Sequence, residues 1–309
     1  MSAQAAAPES ELDEAYLPVF FYDVTSADGT VLRAWTNDPD CRIDGPTVLL
    51  CNGLGTNAWT SPALLRPDCG VRVISWNHRG TGGSERPADR DRVGIEHFVE
   101  DAVAVMDDAG VERATLMGWS MGVNTIFELA ATHPERVNGL FAVAGVPGDT
   151  FATMLAPLGL PKPVSKAITI NAARAMKLGG RVLSPLTTRL PVGPRGVAFV
   201  ARTGLMFPPA DVELAAHAIR EFLSTPIDWY MHLALHSARH PRVSLSRITV
   251  PTSFVAAKWD ILAGSADMAT AADRIEGATY VELVGTHFIG MERPDRVHEL
   301  LLELLARVD

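Results

Sequence analysis

The pentapeptide Gly118-Trp-Ser-Met-Gly122 constrains this chain more than any other feature, because of what stands on either side of it. Ala114 to Met117 reads as a short buried β-run, and Met121 to Thr132 carries a helical pattern. A strand that passes into a helix within so few residues must turn sharply. Glycines two positions before and after the serine leave room where side chains would crowd the backbone, and the turn presents the Ser120 hydroxyl outward. N–H groups at the start of the following helix would then point at developing negative charge.

The same alternation runs through much of the chain. Val19 to Thr25 and Val31 to Trp35 flank the turn-rich Ser26-Ala-Asp-Gly29 and predict an opening antiparallel hairpin. Apolar runs follow at Val48–Cys51, Val71–Trp76, Ala114–Met117, Leu140–Val146, Ser253–Ala256 and Thr279–Leu283. Helical patterns separate most of them, notably Ile95 to Ala109 and Pro294 to Val308. In the latter, Val297, Leu300, Leu301, Leu304 and Leu305 share one stripe. Strands buried on both faces and alternating with helices predict an α/β fold, with a doubly wound, mostly parallel sheet of eight strands.

Between 147 and 247 the alternation lapses, and proline-rich turns separate helix-like pieces such as the one holding Val212, Leu214, Ala215, Ile219 and Leu223. This stretch also has 12 Lys or Arg against 5 Asp or Glu, a net of +7 in a chain whose total is -9, so the remainder carries -16. The expected division is a frayed acidic tail over residues 1–16, an α/β core over 17–146 and 248–309, and a helical insertion over 147–247.

Composition narrows the function classes. With 47% hydrophobic and 20% charged residues the chain has material for a real core, and its acidic balance argues against general nucleic-acid binding. Met1 to Pro8 lacks a basic and apolar leader, and Cys41, Cys51 and Cys69 are odd in number without zinc-knuckle spacing. The expectation is a reducing, cytoplasmic setting, with neither disulfides nor structural metal.

A serine hydroxyl is a weak nucleophile until a base takes its proton, so Ser120 calls for a histidine and an acid further along. His287 follows the run Tyr280 to Val284, and Asp260 follows Thr252 to Ala256 within Lys258-Trp-Asp-Ile-Leu262. Each stands at the expected carboxyl end of a late strand, in the order serine, acid, histidine. Asp149, after the preceding strand, is the competing acid. Early in the chain, Cys51-Asn-Gly-Leu-Gly55 ends another strand, where the N–H of Leu54 would pair with that of Met121 as an oxyanion hole. Asn52, Gly53 and Trp119 flank these positions and are expected to touch substrate.

With these motifs together the sequence resembles the α/β-hydrolase superfamily over nearly all of residues 19 to 308. The resemblance rests on Asn52-Gly-Leu-Gly55, Asn77-His-Arg-Gly-Thr-Gly-Gly-Ser84, Gly118-Trp-Ser-Met-Gly122, Trp259-Asp260, and Thr286-His-Phe288 with Glu292-Arg-Pro294 behind it. It implies that residues 147 to 247 form a cap domain over the site. Asn52 stands where many relatives have histidine, Asn77 where many have aspartate, and Val123 where a third glycine is frequent. Epoxide hydrolases and dehalogenases of this kind carry aspartate at the elbow, where this chain has Ser120.

The implied chemistry is acyl transfer through Ser120 to water, on carboxylic esters with apolar or lipid-like acyl groups and without metal or organic cofactor. An acyltransferase, a perhydrolase or a carbon-carbon bond hydrolase would use the same three residues, and a non-catalytic small-molecule receptor would use the capped pocket alone. His232, His236 and His240 recur every four residues and are read as a polar helix face rather than a metal site; His78 is read as structural. Met154, Met176, Met206 and Met231 are candidates to line an acyl pocket. The basic insertion over an acidic body suits transient contact with anionic lipid.

Overall fold

A computed structural model describes residues 16–308. The expected tail therefore lies outside the described residues except for Tyr16, whose hydroxyl donates to Asp211 at 2.9 Å. Eight strands form one sheet: β1 (Phe20–Thr25), β2 (Val31–Thr36), β3 (Thr47–Cys51), β4 (Arg72–Trp76), β5 (Ala114–Trp119), β6 (Val137–Val143), β7 (Thr252–Ala257) and β8 (Thr279–Leu283). Their order is β1-β2-β4-β3-β5-β6-β7-β8. β2 is antiparallel to both its neighbours, whereas β3 to β8 pair in parallel throughout.

The helices are α1 (Ile95–Asp108), α2 (Gly122–Thr132), α3 (Thr150–Thr153), α4 (Lys162–Thr187), α5 (Pro194–Arg202), α6 (Val212–Ser224), α7 (Ile227–Ser237), α8 (Ser265–Ala272), α9 (Ile289–Glu292) and α10 (Pro294–Leu305). Two apolar layers cover the sheet. Leu49, Leu116 and Leu140 pack on one face with Val105 of α1, Phe127 of α2 and Met268 of α8. Val48, Leu50 and Met117 point the other way, against the Val297, Leu300, Leu301 and Leu304 stripe of α10. Every residue of β5 and β7 is buried, which explains why these strands read as continuous apolar runs rather than alternating ones.

β6 differs from its expected span: it begins at Val137 and stops at Val143. Ala144 has φ +44°, which no strand accommodates, so Ala144 to Val146 leave the sheet although they remain buried. Helices α3 to α7 all fall between β6 and β7, as the helical insertion requires. Backbone bonds tie this insertion to the loops at the strand ends, from Leu155 N–H to Ile261 O at 2.7 Å and from Ala210 N–H to Met291 O at 2.9 Å. All three cysteines are free thiols. Among the described residues no helix is long and apolar enough to cross a membrane.

Candidate active site

β5 ends at Trp119, and Ser120 immediately adopts φ +55°, a left-handed conformation that L residues avoid. Its N–H is held by the Val143 carbonyl at 2.9 Å. The flanking glycines are required sterically: a Cβ at Gly118 would run into the Gly122 backbone, and one at Gly122 into the Cys51 carbonyl. Strand, turn and helix α2 therefore set the place of Ser120.

That place is beside a histidine. Ser120 Oγ lies 2.7 Å from His287 Nε2, and His287 Nδ1 lies 2.8 Å from Asp260 Oδ2. The other oxygen, Asp260 Oδ1, accepts from the N–H groups of Leu262 at 2.7 Å and Ala263 at 2.8 Å. An ionised carboxylate can only accept, so the imidazole proton sits on Nδ1 and leaves Nε2 free to accept from the serine hydroxyl. Asp260 and His287 are both buried. The Trp119 indole donates to the His287 carbonyl at 2.9 Å, and this bond fixes the histidine backbone against the serine strand.

Glu292 is a structural support that the residue pattern did not single out. Its buried carboxylate accepts from Thr286 N–H at 2.8 Å, from Thr286 Oγ1 at 2.5 Å, and from Phe207 N–H of the insertion at 2.8 Å. The histidine loop and the insertion are thus pinned to one acid. Its only sequence signal was its place behind Thr286-His-Phe288.

Leu54 and Met121 both line the cavity that contains Ser120 and His287, and among the described residues neither backbone N–H donates a hydrogen bond. Gly53 and Trp119 line it as well. Asn52 does not: its Nδ2 donates to Ser75 Oγ at 3.0 Å and to the Trp76 carbonyl at 3.1 Å, both on the neighbouring strand β4. Asn52 thus ties its loop to β4 and stands outside the cavity lining. Asp149 is paired with Lys166 at 2.6 Å, whereas the His287 Nδ1 contact is made by Asp260.

The cavity is ≈ 400 Å³ and is walled by Phe151, Met154, Ile219, Phe222, Tyr230 and other apolar residues, with no Lys, Arg, Asp or Glu among the described lining residues. Of the four methionines expected there, Met154 and Met206 line it. Met176 is exposed on α4, and Met231 packs in an apolar cluster that joins the insertion to core residues such as Ile95 and Phe98. Met121 and Met291 take part instead.

His78 is buried against Phe98, with ring centroids 4.6 Å apart, and burial pushes its pKa down to about 4. The three periodic histidines separate. His232 and His236 approach Asp91 at 3.7 and 3.3 Å, whereas His240 meets Glu128 at 3.5 Å. Asp91, His232 and His236 have metal-like proximity, but His232 Nδ1 is 2.7 Å from the Lys177 ammonium and Nε2 is 2.7 Å from the Arg90 carbonyl. Both ring nitrogens are occupied, and cations crowd the group.

A family model described as the alpha/beta hydrolase fold matches residues 46–179. Epoxide hydrolase A of Mycobacterium tuberculosis is 27% identical over 307 residues, covering 85% of this chain and 91% of that protein. The 2-hydroxymuconate semialdehyde hydrolase of a Pseudomonas species is 38% identical over 102 residues, a match to 32% of this chain and only 35% of that protein. The crystal structure of an enol-lactonase from Burkholderia xenovorans superposes with a TM-score of 0.68 at 22% identity, covering 92% of this chain and 100% of that one.

Proposed function

We propose that this chain, whose fold is that of the α/β hydrolases, is a serine hydrolase acting on carboxylic esters with uncharged, apolar acyl groups. The observation that carries this reading is the relay of Ser120, His287 and Asp260, with contacts of 2.7 and 2.8 Å, opening into an apolar cavity.

Ser120 Oγ attacks the ester carbonyl while His287 Nε2 takes its proton, and Asp260 stabilises the imidazolium that results. Negative charge on the former carbonyl oxygen is met by the free N–H groups of Leu54 and Met121; losing one such donor typically costs ~100- to 1000-fold in turnover. The tetrahedral adduct collapses, the C–O bond to the alcohol breaks, and His287 returns its proton to that alcohol. Water then enters, gives a proton to His287 and attacks the acyl-serine carbon, releasing the acid and restoring the hydroxyl. No metal or organic cofactor enters these steps.

The Mycobacterium relative is named an epoxide hydrolase, yet enzymes of that kind carry aspartate at the elbow, and this chain has Ser120 there. A second reading, hydrolysis of a carbon-carbon bond, is favoured by the local similarity to the Pseudomonas enzyme. A hydroxymuconate carries a carboxylate, however, and the absence of Lys or Arg from the described cavity lining favours a neutral substrate.

A fluorophosphonate probe followed by intact mass measurement tests the proposal. One adduct is expected on the wild type, at Ser120, and none on Ser120→Ala, together with loss of p-nitrophenyl ester turnover by at least about 1000-fold. Equal labelling of both proteins would overturn it. Inclusion of a carbon-carbon substrate in the panel separates the two readings.

A further inference from the structure

Helix α4 wears its apolar residues on the outside. It buries Ser165, Ala173, Gly180 and Ser184, while Val182 is 80% exposed, Leu178 70%, Leu186 65% and Ile168 47%. At about 100° per residue, Val164, Ile168, Val182 and Leu186 fall in one narrow arc, with Leu178 and Leu183 on its borders. A surface helix ordinarily turns such a stripe inward. Here the inward face is small and packs on α3 and α7, which also carry the cavity residues Phe151 and Tyr230.

Beside the stripe runs a basic one. Lys166, Arg174, Lys177 and Arg181 lie on the adjoining arc, and no Asp or Glu occurs anywhere from 162 to 187. Arg174 and Arg181 are exposed and make no ion pair among the described residues. An apolar stripe bordered by cations, two of them exposed and without an ion pair among the described residues, is the pattern of a helix lying in the plane of a lipid interface.

We infer that α4 docks this protein on an anionic lipid surface, with the Val182 and Leu186 stripe among the upper acyl chains and Arg174 and Arg181 at the phosphates. Charge decides the occupant. A second copy would bring two helices together that are both cationic and without acid, whereas an anionic bilayer neutralises them. The whole molecule agrees, since residues 147–247 carry +7 and the remainder -16, so a negative surface attracts the α4 side and repels the other. The inference does not depend on the hydrolytic reading.

The test is sedimentation of the full chain with vesicles of pure phosphatidylcholine or of equimolar phosphatidylcholine and phosphatidylglycerol. The wild type is expected to pellet with the mixed vesicles alone and to be released by high salt. Val182→Asp with Leu186→Asp, and separately Arg174→Glu with Arg181→Glu, should each lower partitioning by at least about tenfold. All four side chains are exposed, so both variants should keep the wild-type Tm and the turnover of a soluble short ester. Failure to pellet with either vesicle would overturn the proposal, as would pelleting that neither pair of substitutions changes. A wild-type dimer that Val182→Asp with Leu186→Asp dissociates would assign the face to a second copy instead.

Discussion

Asp260 divides its carboxylate between two tasks, one oxygen on His287 and the other on two backbone N–H groups. The second task fixes the first, because a carboxylate tied to Leu262 and Ala263 cannot rotate away from the imidazole. Asp260→Asn is expected to lower kcat by about 10,000-fold, through loss of the correct histidine tautomer. Asp149→Asn should leave kcat within about threefold, since Asp149 answers to Lys166. Steady-state kinetics on the two variants distinguishes the acids. Ser120, His287 and Asp260 were legible from sequence because each combines a reactive side chain with a strand end. Asn52, expected at the substrate, points to Ser75 and Trp76, which a linear reading does not place beside it. Glu292 was named only within a motif, and its role stayed hidden for the same reason: its donors come from residues 207 and 286.

Among the elements, strands and core helices were readable to within a few residues, since their periodicity reports burial directly. What periodicity does not report is which way a stripe faces. In α10 the apolar stripe packs on the sheet, and in α4 a comparable stripe meets solvent. The difference comes from α3 and α7, which accept the small side of α4 and leave its apolar side uncovered. α7 also contributes to the cavity wall through buried Ala234. Ala234→Phe would fill space that the proposed acyl chain needs. Each buried methylene contributes about 0.8 kcal/mol, so wild-type kcat/KM should climb roughly fourfold per methylene until the cavity is full. In Ala234→Phe that climb should stop at a shorter chain, with the acetate ester turned over as before. A series of p-nitrophenyl esters from acetate upward reads both slopes, and identical slopes would show that the cavity does not hold the acyl group.

For the molecule as a whole, the antiparallel edge is joined to the parallel body by a buried ion network. Arg79, fully buried, donates to Asp101 at 2.7 and 2.9 Å, to Asp28 at 2.5 Å and to Ser26 Oγ at 3.1 Å. One guanidinium thus connects the β1–β2 turn, the loop after β4 and helix α1. Arg79→Met would leave Asp101 buried without its partner and should cost about 3 to 5 kcal/mol, measured by urea unfolding at neutral pH. A smaller loss would mean that Asp101 takes up a proton instead, which a steep recovery of stability at acid pH would reveal.

His287 lies 167 residues after Ser120, and the two meet only once β8 has joined the far edge of the sheet. During synthesis the elbow, the insertion and the acid all leave the ribosome before the base does. A growing or prematurely ended chain that stops short of β8 therefore holds Ser120 without the histidine on which the proposed chemistry depends, so that chemistry can begin only after translation has passed the last strand.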